Sequence, residues 1–345
     1  MVPPMKLLPS LILMSTALVG CENSSSKLAG TAAQGTTGGA SEQDTAAVES
    51  ALKGLEERLD ALEKTHDKGS FEGGSTDAAL TSRLAKVEAN LARREEALGF
   101  LEMAYGQQKR QQEQQEAQEP DPNAVFAVDI SGAVKAGQTE GPADATVTIV
   151  KAFDFACPYC EKLNEPLHEL VKENQGKVRV VYMNLVVHPD TAQTAHQYSC
   201  AAAMQGKYVA WKDAFWEKGF NAYAKSGGKD RGAMGEDNIL KLSGEVGLDT
   251  QKLKADAASD QCKQRVDADI SELRKFKVNG TPGLFINGKF IGGAIPKPQF
   301  QQIIDEKLAI AEKSGVSGAD YYEKEIMGKG VHQFRSKRDS GKRPQ

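Results

Sequence analysis

The stretch DATVTIVKAFDFACPYCEKL, residues 144–163, carries the strongest indication of the fold. Its residues from Val147 to Phe155 are mostly apolar and rich in β-branched side chains, which is typical of a buried strand. Pro158 suits the first turn of a helix, because the N–H that it lacks would have no partner there. Cys157 and Cys160 therefore stand where a predicted strand ends and a predicted helix begins.

This position predicts two unequal thiols. Unpaired N–H groups and the helix dipole stabilise a thiolate at a helix N-terminus, so the pKa of Cys157 is expected to lie well below about 8.5. Cys157 is then the nucleophile, and Cys160, one turn further, is the shielded resolving thiol. Half of a zinc site and an inert structural disulfide are the alternatives. Zinc would require two further Cys or His ligands at suitable spacing, and we expect no metal and no cofactor.

Strands and helices alternate further along the chain. One helix is predicted from Pro158 to about Asn174, and Val178 to Val187 is predicted to be a strand. A long helical stretch follows from about Asp190 to Arg274. The segment VNGTPGLFINGKFIGG, residues 278–293, contains two short strands joined by Asn287-Gly288, a strong hairpin signal. A last helix is predicted over residues 297–313. The sequence thus predicts an α/β domain with a helical insertion.

The two quoted segments together resemble the DsbA-like branch of the thioredoxin superfamily. The redox pair, the Thr-Pro and the Asn-Gly hairpin follow in that family's order around a helical insertion, over residues 124–313. The resemblance implies a thioredoxin-like fold and a thiol-disulfide oxidoreductase. It also implies that Pro282 forms a cis peptide bond with Thr281 facing the redox pair, with an ordinary trans bend as the alternative. Thr281, Pro282, Pro158 and Tyr159 would then contact the substrate peptide.

Lys151 departs from the family pattern, in which many relatives carry a buried acidic residue six positions before the first redox cysteine. A buried, charged Lys151 would favour thiolates and hence the reduced form of the pair. A side chain that extends to solvent instead would leave the pair unaffected. The sequence leaves both interpretations open.

Two further cysteines, Cys200 and Cys262, fall within the predicted helical insertion. A structural disulfide between them is expected, because it would connect two helices across a long loop. Two buried free thiols are the alternative. Trp211, Phe215 and Trp216 have helical spacing and are predicted to belong to the core.

Residues 1–20 are predicted to be a lipoprotein signal peptide. The apolar stretch from Leu7 to Val19 is too short to span a bilayer, and Leu18-Val19-Gly20-Cys21 resembles the lipobox of bacterial lipoproteins. Lipidation of Cys21 would anchor the protein at the periplasmic or extracellular face of a bacterial membrane; a chance cysteine is the alternative. Setting Cys21 aside leaves an even number of cysteines in an exported chain, where disulfides persist.

A tether, a stalk and a linker are predicted between the anchor and the α/β domain. Residues 21–45 have the composition of a flexible tether. Residues 46–106 carry leucines at alternating spacings of three and four, the pattern of short coiled-coil helices. Residues 107–123 are predicted to be a linker, and residues 314–345 a C-terminal extension with a basic tail. Such narrow leucine stripes need a partner, either the other stalk helix folded back or a second copy of the chain in a homo-oligomer, with a solvated, partly helical stalk as the alternative.

These observations predict an extracytoplasmic oxidase that exchanges disulfides with exported proteins and is recycled by a membrane redox partner. One alternative is a disulfide isomerase or reductase that works as a coiled-coil oligomer. Another is a non-catalytic peptide-binding or assembly module. The formal net charge of −4 over 345 residues, without a dominant basic segment, argues against a nucleic-acid partner.

Overall fold

The computed structural model describes Lys53, Gly54, Glu57 and residues 76–342. The predicted signal peptide, Cys21, the tether and most of the first stalk helix lie outside these described residues. Within the described residues, no helix combines the length and the apolar character that crossing a membrane requires. The chain divides into two compact units, with the boundary between Asn90 and Leu91.

A long helix, α1, occupies Thr76–Glu116. It continues through most of the glutamine-rich segment predicted as a linker, because Gln, Glu, Lys and Arg are good helix formers and the first proline after it is Pro120. The apolar side chains of the predicted stripe are all exposed: Leu80, Leu84, Val87, Leu91, Leu98 and Leu101. The second stalk helix is therefore present, and its pairing into a coiled coil stays a prediction.

A five-stranded mixed sheet forms the centre of the second unit. Its strands are β1 Thr139–Glu140, β2 Val147–Phe153, β3 Val178–Asn184, β4 Gly283–Ile286 and β5 Lys289–Gly292, in the order β1-β3-β2-β4-β5. Strand β2 runs parallel to β3 and antiparallel to β4. Strands β4 and β5 form the predicted hairpin, in which Asn287 and Gly288 both have positive φ. This is the predicted thioredoxin-like arrangement of strands.

Helices surround the sheet. Helix α2, Ser131–Lys135, precedes β1, and α3, Pro158–Lys162, and α4, Asn164–Glu173, follow β2. One continuous helix was expected in place of α3 and α4. The break follows from Pro166, which cannot donate a hydrogen bond to the carbonyl of Lys162 and clashes with it.

The insertion between β3 and β4 is helical, as predicted. It comprises α5 Pro189–Met204, α6 Tyr208–Phe215, a π-helical turn Trp216–Phe220, α7 Asn221–Lys225, a 3₁₀ turn Arg231–Met234, α8 Glu236–Glu245, α9 Thr250–Ala258 and α10 Asp260–Lys275. Trp211, Phe215 and Trp216 are buried, which confirms that they belong to the core.

The sheet separates two apolar cores. Val147, Ile149 and Phe153 of β2 pack into the core under the helical insertion, and Val150 and Ala152 pack into the core on the opposite face. Side chains alternate between the two faces of a strand, so Lys151 shares the face of Ile149 and Phe153. A lysine thus enters an otherwise apolar row.

The C-terminal residues complete the second core. Helix α11, Lys297–Ser314, is followed by α12, Gly318–Tyr321, and a π-helical turn, Tyr322–Met327. Tyr321, Tyr322 and Ile326 are buried in this core. Arg335 donates a hydrogen bond to Asp121 at 2.9 Å, so part of the predicted basic tail is held against the predicted linker.

Candidate active site

Cys157 and Cys160 lie beyond the C-terminal end of β2, at the start of α3. Cys157 is the N-cap residue of α3 and has an extended backbone, Pro158 is the first helical residue, and Cys160 lies within the first turn. Cys157 retains 4% of its surface and Cys160 retains none. Of the two free thiols, the first is therefore the one that a substrate can reach.

The surroundings of the two thiols drive their pKa values apart. A hydrogen bond from the Cys160 side chain, with others from the backbone N–H groups of Cys160 and Tyr159, lowers the pKa of Cys157 to about 5. Burial raises the pKa of Cys160 well above the ordinary thiol value, and the hydrogen bond that Cys160 gives to Cys157 adds to this. At neutral pH the arrangement holds a thiolate at Cys157 and a protonated thiol at Cys160.

The Thr281–Pro282 segment faces this pair. The Thr281–Pro282 peptide bond is cis, and Sγ of Cys157 lies 3.3 Å from the carbonyl oxygen of Thr281, to which it donates a hydrogen bond only when it is protonated. Pro282 is buried, whereas Pro158 and Tyr159 are exposed beside Cys157, Tyr159 to 59%. The structure therefore places the residues predicted to contact a peptide on both sides of the accessible sulfur.

Lys151 is buried beneath the pair, with 1% of its surface exposed. Its Nζ donates a hydrogen bond to the carbonyl oxygen of Cys160 at 2.9 Å. Burial lowers the pKa of Lys151 to about 8, so the ammonium form still predominates at pH 7. Of the two interpretations that the sequence left open, the structure selects the buried one.

Asp154 is a site residue that the sequence analysis did not single out. Its buried carboxylate accepts hydrogen bonds from the backbone N–H groups of Ala156 at 2.6 Å, Val187 at 2.6 Å and His188 at 2.9 Å. These bonds attach the turn before Cys157 to the loop after β3. The available signal was a lone carboxylate in the apolar run KAFDFAC, since such a group needs several donors when it is buried.

A buried charged cluster, also not predicted, lies on the same side of the sheet as Lys151. Its centre is Glu140. Oε2 of Glu140 lies 3.6 Å from Nζ of Lys212 and accepts a hydrogen bond from the Tyr182 hydroxyl at 2.7 Å. Oε1 of Glu140 lies 2.6 Å from Nδ1 of His168. The Nζ atoms of Lys212 and Lys151 lie 4.9 and 5.7 Å from the centre of the Tyr182 ring. The sequence pattern of α6 did not indicate that the side chain of Lys212 is buried.

Cys200 of α5 and Cys262 of α10 form a disulfide, with their Cα atoms 5.6 Å apart. The disulfide connects two helices of the insertion, as the sequence analysis expected. Among the described residues, no three or more His, Cys, Asp or Glu side chains are grouped so as to hold a metal ion.

Comparison with known proteins gives two kinds of relative. The chain is 27% identical over 179 residues to "Probable disulfide bond formation protein D" of Bacillus cereus, a match that covers 50% of this chain and 78% of that protein. It is also 27% identical over 154 residues to the Na(+)/H(+) antiporter NhaA of Herminiimonas arsenicoxydans, which covers 45% of this chain and only 23% of the antiporter. The chain thus spans less than a quarter of that second relative.

A solved thioredoxin-like oxidoreductase from Silicibacter pomeroyi is 24% identical in sequence, with a TM-score of 0.43. The match covers 52% of this chain and 98% of that structure. A family model described as thioredoxin matches residues 133–306, half of the 345 residues. The chain therefore belongs to the thioredoxin family.

Proposed function

We propose that this protein oxidises the thiols of exported proteins, with Cys157 as the nucleophile and Cys160 as the resolving thiol. The observation that carries the proposal is the pairing of an accessible Cys157, whose pKa is about 5, with a shielded Cys160 at the start of α3. Hydrogen bonding that favours the Cys157 thiolate stabilises the reduced pair, and stabilising the reduced pair makes the disulfide form a stronger oxidant. Pro158, Tyr159, Thr281 and Pro282 form the surface that receives the substrate peptide.

The reaction proceeds by two thiol-disulfide exchanges. A substrate thiolate attacks Sγ of Cys157, the Cys157–Cys160 bond breaks, and Cys160 leaves as a thiolate that takes up a proton. A second substrate thiolate then attacks the substrate sulfur of the mixed disulfide and releases Cys157 as a thiolate. Two electrons pass from the substrate to the cysteine pair, and a low pKa makes Cys157 a good leaving group.

Trapping tests this assignment. Replacing Cys160 with Ala leaves Cys157 without its intramolecular partner. When Cys157 of this variant is first converted to a mixed disulfide with 2-nitro-5-thiobenzoate, a thiolate of an exported protein is expected to displace that group and to remain covalently bound to Cys157 until reductant releases it. The matched variant, Cys157→Ser, is expected to trap nothing. The reduction potential of the wild-type pair is expected nearer about −120 mV than about −270 mV. A value near the lower figure would overturn the oxidase assignment, and function retained in Cys157→Ser would favour the non-catalytic peptide-binding module.

The proposed function places the protein on a membrane, anchored by lipid at Cys21, where a membrane redox partner reoxidises the pair. Covalent lipidation of Cys21 would keep the active site close to such a partner without a transmembrane helix. We expect metabolic lipid labelling of the wild-type protein and none of Cys21→Ala. Equal labelling of both would contradict the anchor.

The exposed stripe of α1 supports a second candidate, a disulfide isomerase or reductase that works as a homo-oligomer. Leu91 and Leu98 are seven residues apart on that stripe and both are exposed. Apolar side chains at this spacing are typical of helix pairing. The double variant Leu91→Glu/Leu98→Glu is expected to sediment as a monomer and to lose isomerisation of mispaired disulfides while it keeps oxidase activity. A wild-type protein that sediments as a monomer would contradict this candidate.

A further inference from the structure

Lys151 is a buried cation without an ion-pair partner among the described residues. Its side chain makes one hydrogen bond, to the carbonyl oxygen of Cys160, and it projects from β2 into the core between the sheet and the helical insertion. Its cross-strand neighbours are Tyr182 of β3 and Leu284 of β4. Neither of these side chains supplies a negative charge to a buried ammonium at neutral pH, since burial raises the pKa of Tyr182 well above its ordinary value.

The charges that act on Lys151 come from three elements. The thiolate forms of Cys160 and Cys157, at the start of α3, favour its protonated form, and Lys212 of α6 opposes it. Glu140 of β1 favours it as well, but the Glu140 carboxylate already neutralises Lys212 at 3.6 Å and accepts from Tyr182. Because Cys160 is protonated at neutral pH, the negative charge left to balance Lys151 in the resting reduced pair is that of the Cys157 thiolate.

The balance of charge differs between the two redox states. In the disulfide form neither sulfur is charged, so the buried ammonium keeps only the Glu140 carboxylate, which it shares with Lys212, and its burial is more costly. In the reduced form Cys157 is a thiolate, and its negative charge favours the ammonium form of Lys151, which lies beneath the pair and is hydrogen-bonded to the Cys160 carbonyl. Because the same cation is destabilising in one state and neutralised in the other, it shifts the equilibrium toward the reduced pair.

We propose that Lys151 is a positioning residue whose buried ammonium serves as the counter-charge of the redox sulfurs and makes the disulfide more oxidising. The proposal rests on the proposed function and names what tunes that site. When the disulfide reacts, two substrate thiolates lose two electrons and join as a disulfide, and the Cys157–Cys160 bond breaks. Cys160 leaves as a thiolate facing the ammonium and binds one proton from solvent, and Cys157 keeps the remaining negative charge.

The test is the equilibrium of the Cys157–Cys160 pair with glutathione in the full-length protein, measured for wild type, Lys151→Met and Lys151→Gln. Met has a similar length without charge, and Gln keeps a donor for the Cys160 carbonyl without charge. We expect both variants to shift the equilibrium constant about tenfold toward the disulfide, equivalent to a potential lower by about 30 mV. Both are also expected to raise the pH at which Cys157 becomes reactive.

Lys162→Met is the matched control. It makes the same change of residue and of net charge two positions after Cys160, but Lys162 is exposed and lies over the Tyr159 ring at 5.5 Å. We expect its equilibrium constant to stay within about twofold of wild type, because water screens an exposed charge. An equal shift in Lys162→Met, or a wild-type constant in Lys151→Gln, would overturn the proposal.

A measurement on the unaltered protein covers the case in which neither Lys151 variant folds. The Lys151 ammonium, followed by NMR, is expected to lose its proton at a lower pH in the disulfide form than in the reduced form. Equal titration in the two forms would overturn the proposal. Glutathione reacts with the pair directly, so a failure to trap substrates would count against the proposed function alone, and a pair that does not react with glutathione would count against both.

Discussion

Cys157 and Cys160 are three positions apart in sequence and differ in almost everything that governs thiol chemistry. Cys157 sits at the N-cap of α3 and receives hydrogen bonds, whereas Cys160 faces the core and gives one. The Cys160 side chain makes the largest contribution to the low pKa of Cys157. Each thiol is therefore part of the other's environment, and a change at one should be measurable at the other.

Alkylation of reduced Cys157 tests this dependence. Its rate is expected to rise with pH around a midpoint near the pKa of about 5, because only the thiolate reacts. Cys160→Ala removes the principal hydrogen-bond donor, so the midpoint is expected to move to higher pH. The measurement is the rate of reaction with iodoacetamide, followed by mass spectrometry. An unchanged midpoint in Cys160→Ala would contradict the hydrogen bond.

The same pKa makes the stability of the reduced protein depend on pH. A lowered folded-state pKa stabilises the reduced fold fully above the unfolded thiol pKa of about 8.5, and this contribution is lost as pH falls through about 5. The free energy of unfolding of the reduced protein, measured relative to the disulfide form, is therefore expected to increase between those two pH values. Urea unfolding of both forms at each pH measures it, and a difference that is flat with pH would contradict the low pKa.

Among the elements, the helices of the insertion matter because they cover the face of β2 that carries Lys151. The Cys200–Cys262 disulfide joins α5 to α10 across 62 residues of sequence. Trp211 and Phe215 of α6 stack on each other with their centres 5.3 Å apart, and both rings contact Phe155, two residues before Cys157. The helices of the insertion, joined by this disulfide, thus shield the buried side of the active site from solvent.

Removing the disulfide tests its contribution to this cover. The double variant Cys200→Ala/Cys262→Ala is expected to lose about 4 kcal/mol of unfolding free energy, from the chain entropy of a loop of 62 residues. Urea unfolding with Cys157–Cys160 oxidised in both proteins measures the loss. The glutathione equilibrium of the redox pair serves as a control and is expected to stay close to that of wild type. Equal stability of the two proteins would contradict the bracing role.

At the scale of the second unit, residues that follow α11, the last helix of the predicted domain, pack against the residues at the start of that domain. Val331 pairs with Phe126 in a short β-bridge, and Arg335 contacts Asp121. Tyr322 donates a hydrogen bond to the carbonyl oxygen of Val128 at 2.9 Å. The residues after α11 therefore stabilise the start of the domain, on the face of the sheet opposite the helical insertion.

Truncation tests this closure. A chain that ends at Gly315 loses three buried side chains of the second core, each of which contributes about 1.5–3 kcal/mol, so its unfolding free energy is expected to fall by at least about 4 kcal/mol. A chain that ends at Ser340 keeps all three and is expected to remain within about 0.5 kcal/mol of wild type. Thermal or urea unfolding measures both. Equal stability of the shorter chain would contradict the packing.

The sequence by itself determined the elements whose signals are local. The apolar run before Cys157, the proline after it and the Asn287-Gly288 turn each depend on residues a few positions apart, and the corresponding strand, helix start and hairpin are present. The order of these motifs was enough to identify the family. Pro166 also encodes the break between α3 and α4 locally, where the sequence pattern predicted one continuous helix.

Only the tertiary structure decided what surrounds those elements. Whether Lys151 was buried depended on which helices cover β2, and the pairing of Lys212 with Glu140 joins residues from different elements far apart in sequence. The same holds for Tyr322, whose burial required the C-terminal turn to return to the sheet. Periodicity reports the face of an element on which a side chain lies, whereas the charge and solvent that the side chain meets depend on what the rest of the chain packs against that face.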